Sequence, residues 1–310
     1  MKKRDFKNIY DFTIEEIRQA FSLARELKRQ VPTKQFTRRL ADKVLAMVFE
    51  KPSLRTRCTF EIAMLQTGGS AIYLGPSEIG LGKRESVHDV AKNLERWFDL
   101  VMVRTFAQSN VEELAHHCKL PVVNALSDSS HPCQAMADFL TLQEKRGSFD
   151  GLELAYVGDG NNICHSLMRL SSRLGTSIRV ATPEGYEPNQ QILETVHEEA
   201  DKTGAKILVT NDPSEAVSGA NAVYTDVWAS MGQEEEADDR AGVFQPFQVN
   251  AALMSKAAEG AYAMHDLPAH RGEEITDDVM DGPNSLCFDQ AENRLHAQKA
   301  ILVMLDEWRD

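Results

Sequence analysis

"KVLAMVFE", residues 43–50, and the segment that follows it, "KPSLRTRCTFEIAMLQTGG" to residue 69, decide the fold. Six apolar residues stand in a row from Val44 to Phe49. A run of that length without polar alternation reads as a strand covered on both faces, as in a parallel sheet. Beyond Pro52 the period changes. Phe60, Ala63, Met64 and Thr67 recur at helical spacing, and the pattern stops at the pair Gly68-Gly69. A buried strand joined by a short turn to a helix is the repeating half of an α/β unit.

The same alternation extends in both directions. Upstream, Thr13-x-x-Glu16 is a capping box leading into "IEEIRQAFSLARELK". Downstream come strand "AIYL", helix "VHDVAKNLERWF", strand "LVMVR", helix "VEELAHHC", strand "PVVNA" and helix "QAMADFLTLQEKRG". The polar, glycine-flanked "RGSFDG" (146–151) then marks a boundary. A second series follows. It comprises strand "LELAYVG", helix "ICHSLMRLSSRLG", strand "SIRVATP", helix "NQQILETVHEEADKTG", strand "KILVT", a short helix at 213–219, strand "AVYTD" and a strand ending at His265. The closing helix, "AENRLHAQKAILVMLDEW", has a stripe at Leu295, Leu302, Leu305 and Trp308. Two such series predict an α/β protein of two doubly wound parallel-sheet domains, with ligands beyond the carboxyl ends of the strands.

The 310 residues suffice for two domains with separate cores. An apolar content of 42% and a charged content of 26% are those of a globular protein. The net charge of −13 argues against general nucleic-acid binding, which needs a basic face. Five cysteines without a CxxC pair read as reduced thiols. No apolar stretch approaches about 18 residues, so no membrane span is expected. "MKKRDFKNIYDF" lacks the apolar core of a signal peptide, and the expected compartment is the cytoplasm.

Five segments could carry chemistry. In "FEKPSLRTRCTFE" (49–61), Arg55, Thr56 and Arg57 fall in the first turn of a helix behind Pro52 and Ser53. Unpaired N–H groups there suit an anion, whereas basic side chains oppose the helix dipole. Two arginines against that preference suggest a bound anion; a basic surface turn is the plain alternative. "SSHPCQAMAD" (129–138) places His131 and Gln134 at another helix start. His131 and Cys133 are too few for a structural zinc. A donor to a carbonyl oxygen, or a capping histidine, remains. "VGDGNNICHSL" (157–167) opens like a dinucleotide fingerprint, but its third glycine would fall at Ile163, and the next strand ends without a ribose-binding carboxylate. Asn161 and Asn162 suit a small zwitterion instead. In "TDVWASMGQE" (225–234), Asp226 follows a strand with Ser230 four residues on, a pair able to hold an ammonium or, for Asp226, merely to cap a loop. In "AMHDLPAHRGEE" (263–274), Pro268 separates His265 from His270, so they are no helical metal pair. Glu273 and Glu274 read there as the first turn of a helix. The run "GQEEEADDR" (232–240) reads as a solvated loop or helix start.

Taken together and in order, these motifs resemble the carbamoyltransferase family, in its ornithine-using branch. "FEKPSLRTR" is similar to the phosphate loop S-x-R-T-R, "HPCQ" to the carbamoyl-binding H-P-x-Q, and "HDLPAHRGEE" to the segment bearing H-C-L-P. "GDGNN" and "DVWASMG" resemble the ornithine side, where D-x-x-x-S-M-G separates ornithine from aspartate enzymes; "FDQAENRLHAQKAIL" resembles the closing helix. The resemblance implies a carbamoyl-phosphate domain, 1–147 with 288–310, and an amino-acid domain, 148–287. It implies a last helix packing back on the first domain. It implies a homotrimer or a multiple of trimers, no metal, and no organic cofactor. The implied reaction joins carbamoyl phosphate and L-ornithine to give L-citrulline and phosphate. Ser53, Leu54, Arg55, Thr56, Arg57 and Arg104 would hold the phosphate. His131, Gln134 and Arg104 would polarise the carbamoyl group. Arg294, Asp266 and Leu267 would complete that ligand's contacts. Asn162, Asp226, Ser230 and Met231 would hold ornithine, with "SMGQEEE" as a lid.

Two positions depart from the pattern. The family has cysteine where this chain has Asp266. A carboxylate about 4 Å from a phosphate is repulsive by roughly 4 kcal/mol at an effective dielectric near 20. Beside a δ-ammonium it favours the charged, non-nucleophilic form. Gly80 stands where ornithine enzymes commonly carry glutamine or histidine, and Lys83 or Arg84 are the nearby substitutes. Three readings stay open at this stage: an ornithine enzyme with an altered site, a carbamoyltransferase for another amine or amino acid, and a non-catalytic binding or regulatory paralogue.

Overall fold

The computed structural model describes residues 3–82, 84–229 and 237–309. The chain divides into two units, Met1–Leu140 with Glu292–Asp310, and Thr141–Ala291.

The first unit begins with a 3-10 turn, Ile9–Asp11, and helix α1, Ile14–Arg29. The Thr13 hydroxyl accepts from Glu16 N, and the Glu16 carboxylate returns to Thr13 N, the reciprocal box read from the sequence. Strands β1 (Val44–Phe49), β2 (Ser70–Leu74), β3 (Leu100–Arg104) and β4 (Val122–Leu126) form one parallel sheet in the order β2-β1-β3-β4. Between them run α2 (Leu54–Gln66), the short α3 (Pro76–Ile79), α4 (Val87–Trp97) and α5 (Gln108–His117); α6 (Pro132–Arg146) follows β4. β1 and β3 are buried almost throughout, which is why they read as continuous apolar runs. β2 is the sheet's edge and is only half-buried.

The second unit holds β5 (Glu153–Val157), α7 (Asn162–Leu174), β6 (Ser177–Ala181), α8 (Gln190–Thr203), β7 (Ile207–Thr210), α9 (Pro213–Val217), β8 (Ala222–Thr225), α10 (Ala237–Phe244), α11 (Ala251–Met254), β9 (Tyr262–His265) and α12 (Asp277–Met280). Its five strands are parallel in the order β7-β6-β5-β8-β9. Both sheets are α/β and parallel, as the alternation predicts.

The last helix, α13 (Cys287–Glu307), has its C-terminal part in the first unit. There Lys28 donates to Asn293 at 2.8 Å, and Lys299 donates to Leu27 O and Gln66 Oε1. Arg39 pairs with Glu307, and Trp308 packs edge-on against Phe12. The return of this helix onto the first unit is therefore present. Among the described residues, no helix is long and apolar enough to cross a membrane.

One expectation fails. Glu273 and Glu274 lie in a turn, and the next helix starts only at Asp277. The Glu274 carboxylate is fully buried and accepts from His265 Nε2 at 2.9 Å and His270 N at 2.6 Å. Those bonds close a loop that no helical turn could accommodate.

Candidate functional site

Each sheet reverses its strand order once, and that is where an α/β sheet opens a crevice at its carboxyl edge. In the first unit the reversal lies between β1 and β3, whose last residues, Phe49 and Arg104, are in register. The β1–α2 turn starts there. Ser53 caps α2: its hydroxyl accepts from Thr56 N at 3.3 Å and lies 3.1 Å from Thr56 Oγ1. Arg104 Nη1 reaches Thr56 Oγ1 at 3.2 Å, and Arg294 Nη2 reaches the same oxygen at 2.8 Å. Arg294 Nη1 also donates to Gln134 Oε1 at 2.5 Å, while Gln134 Nε2 donates to Asp138 at 2.8 Å. All five of Thr56, Arg104, His131, Gln134 and Arg294 are buried. Burial, then the charges of Arg294, Arg104 and Lys51, hold His131 well below the usual imidazole range. A neutral imidazole thus sits among three cations, an arrangement suited to an anionic ligand that carries a carbonyl.

The remaining expected residues of this unit are less enclosed. Arg55 is half-buried and Leu54 is exposed. Arg57 is exposed; its guanidinium lies 4.3 Å from the Tyr73 ring and 3.8 Å from Glu61. Lys51, buried and 4.6 Å from the Phe106 ring, escaped the sequence reading. Its place two residues after β1 was the available signal, since strand ends face the crevice. Gly80 caps α3 in the left-handed region at φ 48°, and a Cβ there would lie 2.7 Å from Arg84 Cβ. Lys83 lies outside the described residues.

In the second unit the reversal lies between β5 and β8. The turn after β5 explains its glycines: a Cβ on Gly160 would stand 2.3 Å from Pro188 N, so only glycine lets that loop approach. Asn161 caps α7 by accepting from Ile163 N and Cys164 N. Its Nδ2 donates to Asp226 Oδ2 at 2.7 Å. Asn162, the first residue of α7, is half-buried. Asp226 is nearly buried and also accepts from Val227 N.

Asp226, His265 and Asp266 bring one ligand atom each within 4.8 Å of one another. His265 is fully buried. Its Nδ1 accepts from Leu267 N at 2.9 Å, so the ring hydrogen resides on Nε2 and is given to Glu274. The Gln290 side chain accepts from His265 N at 3.0 Å. The histidine therefore fixes the Asp266–Leu267 backbone, where Leu267 has φ 61° and the Leu267–Pro268 bond is cis. Nearby, Asp159 pairs with Arg240 at 3.1 Å, and burial, against that pairing, raises its carboxyl to about 6. Ser230 and Met231, with the expected lid "SMGQEEE", lie outside the described residues.

Two family models match consecutive parts of the chain. Residues 4–144 match the carbamoyl-P binding domain of aspartate/ornithine carbamoyltransferase, and residues 150–305 match its Asp/Orn binding domain. The chain belongs to the aspartate/ornithine carbamoyltransferase family. A relative named ornithine carbamoyltransferase, from Anoxybacillus flavithermus, is 50% identical over 305 residues, covering 98% of this chain and 97% of its own. The anabolic ornithine carbamoyltransferase of Pyrococcus furiosus is 48% identical over 302 residues, covering 97% and 96%. The solved Pyrococcus furiosus enzyme superimposes with a TM-score of 0.94, over 97% of this chain and 96% of that one. The anabolic enzyme of Campylobacter jejuni gives the same TM-score at 36% identity, over 98% and 99%.

Proposed function

We propose that this protein transfers the carbamoyl group of carbamoyl phosphate to the δ-amine of L-ornithine, giving L-citrulline and phosphate for arginine biosynthesis. The observation that carries this reading is the convergence of Arg104 and Arg294 on Thr56 beside a neutral, buried His131. The phosphate is assigned to Ser53, Arg55, Thr56, Arg57, Arg104 and Arg294, with N–H groups of the first turn of α2. Leu54 contributes its N–H in that turn, and its side chain is exposed. His131, Gln134 and Arg104 take the carbamoyl oxygen, where preorganised donors are typically worth a few kcal/mol in the transition state. Asn162, Asp226, Ser230 and Met231 are assigned to ornithine, and Asp266 and Leu267 to carbamoyl phosphate. The neutral amine attacks the carbamoyl carbon. A C–N bond forms, the C–O bond to phosphate breaks, and the proton lost by the amine is taken up by the departing phosphate. Orientation of two bound substrates supplies much of the rate.

A cytoplasmic homotrimer, or a multiple of trimers, completes the proposal. The support for self-association is the exposed side of α2, where Leu54, Ile62 and Leu65 stand uncovered at helical spacing. Incubation with carbamoyl phosphate and a panel of amines, with phosphate and carbamoylated product measured, tests the activity. Citrulline formed with ornithine alone is the expected outcome. Preference for another amine redirects the acceptor. Tight carbamoyl phosphate binding without turnover on any amine defeats the enzyme reading.

A further inference from the structure

Three histidines lie together in the first unit, separate from every residue assigned above. His88 stands in the first turn of α4, and His116 and His117 in the last turn of α5. The two helices share one apolar core through Val87, Val90 and Leu94 against Val111, Leu114 and Ala115, which fixes their backbones. The His88 and His117 ring centroids are 4.8 Å apart, and those of His116 and His117 are also 4.8 Å apart. Two imidazoles sharing a tetrahedral ion through nitrogens at about 2.1 Å place their centroids about 5 Å apart. The ring spacing is thus compatible with a shared ion, while the three sets of nitrogens do not converge within 4.8 Å as they stand and would be brought together by side-chain rotation. Asp89 Oδ1 lies 3.0 Å from His88 Nδ1, which leaves Nε2 for a ligand. A carboxylate behind the imidazole is what orients a metal-binding histidine. Among the described residues, the His116 and His117 ring nitrogens have no hydrogen-bond partner. Lys92 is occupied by the His117 carbonyl at 2.7 Å and by Glu95 at 3.5 Å.

We propose that His88, His116 and His117 form a site for a divalent d-block cation of the zinc class, with Asp89 as its outer carboxylate. His88 and His116 are exposed and His117 is half-buried, so small side-chain rotations can exchange the edge-to-face packing for ligation. Imidazole nitrogens suit zinc, nickel or copper, whereas calcium and magnesium demand oxygen ligands. Three nitrogens leave a fourth position for water. The ion would staple the start of α4 to the end of α5 and stabilise the folded state by mass action.

The test is calorimetric titration of zinc chloride into the chelator-treated full-length protein, with the melting temperature followed in parallel. Variants assign the site, because Asp226, His265 and Asp266, and separately His270, Glu273 and Glu274, also gather three ligand groups. The double variant His88→Gln, His117→Gln is expected to lose one zinc equivalent, or weaken it at least tenfold, and to lose the zinc-dependent rise in Tm. Asp89→Asn is expected to weaken the same equivalent about tenfold. Carbamoyl-transfer turnover and Tm without zinc stay at wild-type values, which shows the variants folded. A wild type that binds no zinc below millimolar concentration overturns the proposal. So does a double variant with undiminished stoichiometry and affinity.

Discussion

Arg294 shows how one side chain ties the first unit's site together, since it bridges Gln134 and Thr56. Arg294→Met removes a charge assigned to the phosphate in the proposed function and removes one hydrogen bond from each partner. The expected loss in kcat/KM is about a hundredfold to a thousandfold, read from steady-state kinetics, with KM for carbamoyl phosphate raised. Asp266 behaves differently. It stands with Asp226 in one small cluster, so in the proposed complex the two carboxylates favour the protonated δ-ammonium. Asp266→Cys is expected to raise kcat with ornithine at neutral pH, and by a smaller factor at alkaline pH, where the amine is neutral anyway. A fall in kcat instead identifies the carboxylate as the proton acceptor. Gly80 has a local reason to be glycine: its φ of 48° and the 2.7 Å approach of Arg84 Cβ. Gly80→Gln is expected to cost about 1–3 kcal/mol, measured as a lower urea midpoint, rather than to restore a reaching side chain.

At the scale of elements, α13 is the instructive case. Its apolar stripe was legible, but Asn293, Arg294, His296, Gln298 and Lys299 are buried as well, so the helix is enclosed nearly all round. Periodicity cannot reveal that, because polar residues buried by partners look the same in sequence as polar residues in water. The long strands were legible because both faces are covered. The four-residue helices α3, α11 and α12 were not, being little more than one helical period and so too short to show a repeat. The β1–α2 turn stood out through its misplaced arginines, whereas Arg294 came only from the resemblance, since it enters from the far end of the chain. Burial also depresses His296 to about 3, with Lys299 and Lys28 adding to the effect. A histidine lowered on folding binds fewer protons in the native state than in the unfolded chain. Its contribution is therefore present above about pH 6.5 and is lost as pH falls towards 3. His296→Gln is expected to flatten that acid loss by roughly 1–3 kcal/mol, seen by comparing urea midpoints at pH 7.5 and pH 4.5.

For the whole molecule, the exposed side of α2 is the feature that a lone chain leaves unexplained. Leu65 is 62% exposed and Leu54 76% exposed, on a helix whose first turn is assigned to phosphate in the proposed function. Single exposed leucines are ordinary, but an aligned set next to a site is how an interface between copies reads. A chain carrying a net charge of −13 also repels its own copies, so apolar contact must overcome that repulsion. Two results follow if α2 is covered in a trimer. Leu65→Glu should convert the trimer to monomer in light scattering at micromolar protein, because it places a charge in an apolar contact. Raising the salt should shift the wild type further towards trimer at high dilution by screening the repulsion. On a free surface the same substitution changes stability by no more than about 0.5 kcal/mol and leaves the mass untouched. A trimer that persists in Leu65→Glu therefore places the interface elsewhere than on α2.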